Sequence, residues 1–190
     1  MVAGTGLGSF YEYFASKDDL ARVCLHLRSK ALLMAMQEAV AGHAGRPLRE
    51  IVEAVIDSQI DAHRERPEEW GAHYLLERHL SGVDAYRKMY ERFVDAWVDA
   101  LAAASDLPAD CAQREAARVC QTVMYGLLSH VHISAAGAPD LQALSRQTRT
   151  AIEGYLGPCA EATQCSSGTL ASFSTRRTKL DLLWRMPGIL

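Results

Sequence analysis

The sequence predicts an all-α fold, a bundle of helices joined by short links. From Ser16 to Leu156 the apolar residues recur with the period of an α-helix. Glycine, proline and serine interrupt that period at intervals, where turns would join successive helices. No segment alternates apolar and polar residues as a half-buried strand does. The chain has 190 residues, 49% of them hydrophobic, which suits one domain with a substantial core.

Three helices are predicted in the first half of the chain. Their approximate ranges are residues 17–40, residues 47–66 and residues 67–80. Ser16 is a good N-cap for the first, Gly42 and Gly45 end it, and Pro47 and Pro67 suit the first turns of the other two. The first helix is expected to bury the stripe Leu20, Val23, Cys24, Leu27, Ala31, Met34 and Ala35.

Three more helices are predicted after the break at Ser81 and Gly82. They cover about residues 83–104, 109–135 and 140–156, with turns at residues 106–108 and 137–139 between them. Residues 17–156 therefore form one helical domain. Residues 157–190 are predicted to be a disordered tail, because half of residues 163–178 are serine or threonine without any apolar period.

Charge and composition exclude several classes of protein. The net charge of −3 divides into +1 for residues 1–30, −6 for residues 31–156 and +2 for residues 157–190, so the body is not a general nucleic-acid binder. No apolar run is long enough to cross a membrane, and no secretion signal opens the chain. The five widely spaced cysteines fit neither a disulfide framework nor a zinc site, which favours the cytoplasm.

The first twenty residues carry the most specific motif. Residues 8–20 read Gly-Ser-Phe-Tyr-x-Tyr-Phe-x-Ser-Lys-x-x-Leu. This pattern closely resembles the recognition helix and the following linker helix of the TetR family of bacterial transcriptional regulators. The resemblance implies a helix-turn-helix that enters the major groove of an operator, followed by an all-helical body that binds a small ligand and forms a homodimer.

The resemblance also implies which residues touch DNA. Leu7 and Gly8 would lie nearest the base edges, where they offer only apolar contact. The hydroxyl and ammonium groups that would donate to phosphate oxygens belong to Ser9, Tyr11, Tyr13 and Lys17. Residues 1–16 are therefore interpreted as the remnant of a DNA-binding domain.

Two helices that precede the recognition helix in the family have no counterpart in this sequence. We expect one of two explanations: the true start lies upstream, or the chain is a dimeric ligand-binding or interaction module without competent DNA binding. Codons upstream of Met1 that encode two further helices in frame would favour the first explanation, and a stop codon would favour the second.

The segment from Trp70 to Trp97 is a candidate binding region for an apolar or amphipathic ligand, because aromatic and methionine side chains with a few polar groups suit such a pocket. The candidate ligand residues are Trp70, His73, Tyr74, Tyr90, Phe93, Trp97, Met124 and His130. The alternative is that this aromatic stripe is ordinary core. His130 and His132 point in different directions on a helix, so they cannot share a metal ion.

No nucleophile, base and oxyanion site occur in a recognisable order, so no enzyme activity, cofactor or metal is predicted. The dimer contact is expected on the last two helices, residues 109–136 and 139–156. Two such pairs would meet in a four-helix bundle through their apolar residues, which are Val123, Met124, Leu127, Leu128, Val131, Leu141, Leu144, Ile152 and Leu156.

DNA binding by the chain as given should be weak and without sequence preference, because a recognition helix depends on the helix before it to set its angle on the duplex. A gel-shift titration should give dissociation constants of about 10⁻⁴–10⁻⁶ M for random and genomic duplexes alike at physiological salt. Selective binding below the micromolar range would contradict this prediction.

Overall fold

The computed structural model describes residues 14–107, 113–134 and 137–161, and in these ranges every regular element is an α-helix. The helices are α1 (Lys17–Gly42), α2 (Leu48–Arg64), α3 (Pro67–Leu80), α4 (Val83–Ala102), α5 (Gln113–Ser134) and α6 (Leu141–Glu161). The predicted all-α fold is confirmed. None of the described helices is long and apolar enough to cross a bilayer.

Helix α1 begins as the sequence predicts but buries a different face. The Ser16 hydroxyl accepts a hydrogen bond from the Asp19 amide at 3.1 Å, and Asp18 and Asp19 lie at the positive end of the helix dipole. The buried residues are Leu25, Ser29, Leu32, Leu33, Met36 and Val40, whereas Val23, Leu27 and Met34 of the predicted stripe are 44–59% exposed. Because α1 carries apolar residues on several faces, its own sequence does not select the buried one.

Helix α2 forms the centre of the core. Ile51, Val52, Val55 and Ile56 are at most 1% exposed, and the helix packs against α1, α6, α4 and α3. Burial of four branched side chains contributes about 1.5–3 kcal/mol each to folding. The turn before α2 is held by the turn after α4. The Leu48 amide donates to the Asp106 carboxylate at 2.7 Å, and the Gly45 amide donates to the Ala103 carbonyl at 2.8 Å.

Helix α3 crosses α5 at very short range. A Cβ atom added to Gly71 would lie 2.8 Å from the backbone carbonyl oxygen of His132. Real Cβ atoms do not approach a backbone oxygen that closely, so this crossing requires glycine. The short separation places the next turn of α3, with His73 and Tyr74, directly over α5.

Helix α6 closes the bundle from the side of α2 and α5. Its apolar residues Leu144, Ile152 and Leu156 are at most 2% exposed within the single subunit. The expectation that these three residues meet a second copy is therefore wrong, since they already fill the core, and the same holds for Met124 and Leu128 of α5. The helix also runs to Glu161, past the boundary predicted at residue 156. The first thirteen residues and the tail from residue 162 lie outside the described residues.

Candidate functional site

A cavity lies between α1, α3, α4 and α5, with one wall residue from α2. It encloses about 50 Å³. Its walls are Ser29, Leu32, Met36, Gln59, His73, Tyr74, Glu77, Tyr86, Met89, Tyr90, Phe93, Trp97, Gln121, Met124, Tyr125 and Leu128. The lining is mostly apolar and aromatic with a few polar groups, which is the usual chemistry of a small-molecule site.

The apolar walls can move. Met36, Met89 and Met124 come from three different helices and contribute unbranched side chains that repack at low cost. The enclosed volume holds only a few water molecules, whereas a drug-sized ligand needs about 300–1,000 Å³. A ligand would therefore have to displace these methionines and separate the helices that carry them.

One carboxylate faces the cavity. Glu77 on α3 accepts a hydrogen bond at 2.6 Å from the hydroxyl of Tyr125 on α5. Burial raises the pKa of Glu77, partly offset by this hydrogen bond. Burial, together with the Glu77 carboxylate, raises the pKa of the Tyr125 hydroxyl, which stays a hydrogen-bond donor. The Tyr86 ring lies edge-on to Tyr125, with centroids 6.1 Å apart.

Two further polar side chains of the cavity, Gln59 and Trp97, differ in whether their N–H groups have a hydrogen-bond partner. The Gln59 amide donates to the Leu32 carbonyl at 3.0 Å, so it bridges α2 and α1. The indole N–H of Trp97 is buried without a hydrogen-bond partner. An unmet buried donor costs about 1–3 kcal/mol, so a ligand acceptor placed there would gain a hydrogen bond and relieve that cost.

Histidines and aromatic rings form a cluster beside the cavity. The Nδ1 of His63 lies 2.7 Å from the Gln59 carbonyl and must donate to it, so Nε2 accepts from the Tyr74 hydroxyl at 2.8 Å. The His63 ring stacks on Trp70 at 3.8 Å and lies 5.1 Å from His132. Burial lowers the pKa of His63 to about 3.

The same environment keeps the other two histidines of the cluster neutral. Burial lowers the pKa of His73 to about 4, and the charge of Arg28 lowers it further. Burial also lowers the pKa of His132, against a hydrogen bond to the backbone of Pro67. Uncharged imidazoles therefore pack here as aromatic rings.

Six of the eight predicted ligand residues line the cavity. These are His73, Tyr74, Tyr90, Phe93, Trp97 and Met124. Trp70 lies outside it, against His63, and His130 is exposed, so the structure does not bring these two residues into the cavity. His132 occupies the inner face instead, because residues two apart on a helix point to different sides.

Sequence reasoning missed Glu77 and Tyr125, which meet although they are 48 residues apart. Each is a polar residue on a helical face and carries no motif that could have revealed the contact.

Of the predicted DNA contacts, Leu7, Gly8, Ser9, Tyr11 and Tyr13 lie outside the described residues. Lys17 is the exposed first residue of α1.

Two arginines of α1 reach across to α3. Arg22 Nε donates to the Leu80 carbonyl at 3.4 Å, and Arg28 forms a salt bridge with Glu69 at 2.6 Å. The Arg28 guanidinium also lies 4.6 Å from the centre of the Trp70 ring, in a cation–π contact. These contacts link α1 to α3 at two points along the helix.

Within the described ranges, no three His, Cys, Asp or Glu side chains come together as a metal site. The geometry defines an all-helical protein with a flexible aromatic cavity between a long first helix and the helices that pack on it. The family model described as the tetracyclin repressor-like C-terminal domain matches residues 47–156, more than half of the chain. The chain belongs to this family, the TetR-type regulators. No curated protein or solved structure matches the chain.

Acid should destabilise the protein through the histidine cluster. His63 and His73 have folded pKa values of about 3 and about 4, below the value of about 6.5 in an unfolded chain. Below pH 6.5 the unfolded state therefore binds more protons, and stability falls as the pH decreases. From pH 6.5 to about pH 5 each histidine should cost about 1.5 kcal/mol of unfolding free energy, measurable by urea denaturation.

Two variants test whether this loss of stability at low pH comes from the buried histidines. His63→Gln should remove about a third to a half of the pH-dependent loss, because one of the three buried histidines with a lowered pKa is gone. His130→Gln changes an exposed histidine, so this variant should lose as much stability at low pH as the parent chain does. Equal pH dependence in the two variants would contradict the assignment to the buried ring.

Proposed function

We propose that the protein is a ligand-responsive, DNA-binding transcriptional regulator of the TetR type, acting as a repressor in the cytoplasm, without enzymatic activity. The observation that carries this proposal is the position of the cavity against α1. Ser29, Leu32 and Met36 of α1 form part of its wall. The same helix begins at Lys17, directly after the segment whose sequence resembles a recognition helix.

Ligand binding would be coupled to DNA binding through α1. Because the cavity holds only about 50 Å³, a ligand has to widen it by displacing α3 and α4. The contacts of Arg22 with Leu80 and of Arg28 with Glu69 would transmit that displacement along α1 toward its first residue. A coupling of about 1–3 kcal/mol, or 5–150-fold in operator affinity, is typical of such linked sites.

The DNA contacts are proposed for Leu7, Gly8, Ser9, Tyr11, Tyr13 and Lys17. Their support is the motif resemblance and the position of Lys17 at the start of α1. The second candidate function is a dimeric ligand-binding or interaction module without DNA binding. A gel-shift titration of the chain extended by the in-frame upstream codons separates the two, since sequence-selective binding supports the regulator and binding as weak as that expected of residues 1–190 alone supports the module.

A homodimer through α5 and α6 is part of the proposal. The side chains available for it are those left accessible in the subunit. On α5 these include the half-buried Val119, Val123 and Leu127, and on α6 the exposed Ala151 and Gly154. Small and apolar residues at helical spacing allow close packing against a two-fold related pair.

A small apolar or amphipathic molecule should stabilise the protein. At a ligand concentration a hundred times its dissociation constant, the gain should be about 2.7 kcal/mol of unfolding free energy. A thermal-shift screen of such molecules measures it. The stabilisation should be lost in Met89→Trp, because the larger side chain fills the cavity that Met89 lines.

Met34→Trp is the matched control, since Met34 is 48% exposed on the outer side of α1. This variant should respond to the same molecules as the parent chain. Stabilisation that survives Met89→Trp, or a screen without any stabilising molecule, would contradict the assignment of the cavity as the ligand site.

Ala151→Glu should convert the homodimer into a folded monomer. Ala151 is exposed in the subunit, so the charge leaves the core intact but would be buried without a partner between two copies. Sedimentation velocity should show a dimer for the parent chain and a monomer for the variant, with unchanged helical circular dichroism.

Two further variants complete this test. Ala72→Glu places the same charge on an exposed residue of α3 and should remain dimeric. Ile152→Glu should lose helical structure, because Ile152 is fully buried within the subunit. A parent chain that sediments as a monomer at tens of micromolar would rule out this interface.

A further inference from the structure

We propose that the ligand of this cavity is a lipophilic cation, with an apolar body among the methionine and aromatic side chains and an ammonium group beside Glu77. This names the chemical class of the ligand and rests on the ligand-binding function proposed above.

Glu77 is the charged group of the cavity. Among the described residues that line it, none is lysine or arginine, and His73 is neutral above its pKa of about 4. A fixed negative charge in otherwise apolar walls attracts a cation and repels an anion, and the low dielectric of the surroundings strengthens both effects.

No described basic side chain forms a salt bridge with the Glu77 carboxylate. Glu77 forms none of the salt bridges within the described ranges, and its hydrogen bond comes from the neutral hydroxyl of Tyr125 at 2.6 Å. Arg22 lines the adjoining crevice that shares Glu77, but it is engaged by the Asp19 carboxylate at 3.0 Å and by the Leu80 carbonyl. Arg78, the next residue along α3, is exposed to solvent, and its charge lowers the pKa of Glu77 without a salt bridge between the two side chains.

Aromatic rings surround the same point. Tyr125 packs edge-on against Tyr74 at 5.7 Å and against Tyr86 at 6.1 Å, and Tyr86 stacks near Tyr90 at 6.3 Å. All four line the cavity together with Glu77. The negative face of an aromatic ring attracts a cation, and sets of such rings are the usual binding site of quaternary ammonium groups.

Desolvation favours the same ligand. Burying Glu77 without a cation is costly, and this cost raises the pKa of its carboxyl group. An ammonium group would compensate the buried charge, whereas a neutral ligand would leave it uncompensated. The cavity therefore selects positive charge by relieving a cost that the protein otherwise bears.

Three probes of similar size test the charge of the ligand. They are phenyltrimethylammonium, its neutral isostere tert-butylbenzene and the anion benzenesulfonate. Binding is followed by NMR of the full chain labelled at its methionine methyl groups. Met36, Met89 and Met124 line the cavity, and the exposed Met34 is an internal reference. Phenyltrimethylammonium should shift the three cavity methyl signals and bind about tenfold or more tightly than tert-butylbenzene.

Glu77→Gln tests the carboxylate. Glutamine keeps the shape and can still accept the Tyr125 hydrogen bond, so the variant should fold. It should weaken the binding of phenyltrimethylammonium about tenfold or more, whereas tert-butylbenzene should bind at least as tightly as it does to the parent chain. Glu68→Gln, an exposed residue of the same helix, is the matched control and should leave both affinities unchanged.

The outcomes separate this inference from the ligand-binding function. If tert-butylbenzene or benzenesulfonate binds at least as tightly as the cation, or if Glu77→Gln leaves the cation affinity unchanged, the inference is overturned while the cavity remains a ligand site. If none of the three probes shifts the cavity methyl signals, the inference is overturned as well. The thermal-shift comparison of Met89→Trp with Met34→Trp then decides whether the ligand-binding function also fails.

Discussion

The close crossing of α3 and α5 at Gly71 is the constraint on which the site depends. With the Gly71 Cα over the His132 carbonyl, there is no room for a side chain, so the two helix backbones touch. This contact sets the distance at which Tyr74 reaches Tyr125 and Glu77 reaches the Tyr125 hydroxyl. The cavity lies where α1, which makes no comparably close approach to α5, faces it across the side chains of Leu32 and Met36.

The cavity combines rigid and soft walls. The histidine cluster and the Gln59 amide bind α2 firmly to α1 and α3 through hydrogen bonds of 2.8 and 3.0 Å. On the opposite side, methionine side chains from α1, α4 and α5 fill the space with contacts that rearrange at low cost. Expansion on the proposed ligand binding would therefore involve the helices that carry these methionines. Arg22 and Arg28 hold the first half of α1 to α3, so a displacement of α3 would carry that part of α1 with it.

Much of the architecture could be predicted from the chain because it depends on local signals. The helical period, the Ser16 cap, Pro67 at a helix start and the Gly42–Gly45 ending each act within a few residues, and the structure follows them closely. Most of the aromatic residues of the cavity could be predicted for the same reason, since they form one stripe on two consecutive helices. The motif of residues 8–20 is local as well, and together with the helical period of the body it indicates the family from the amino-acid sequence alone.

Only the tertiary structure decided which faces meet. The apolar residues of α1 surround the helix, so packing against α2 and α3 selected Leu32 and Met36 rather than Leu27 and Met34. On α6 the core of the subunit buried Ile152, which a sequence pattern cannot distinguish from an intersubunit contact. The contact between Glu77 and Tyr125 forms only because α3 crosses α5, and the same packing places His132 rather than His130 on the inner face of α5. The sequence determined the helices and their ends, because these depend on interactions between near neighbours. Contacts between distant residues depended on how the helices pack in three dimensions, because each helix had several faces that could have been buried.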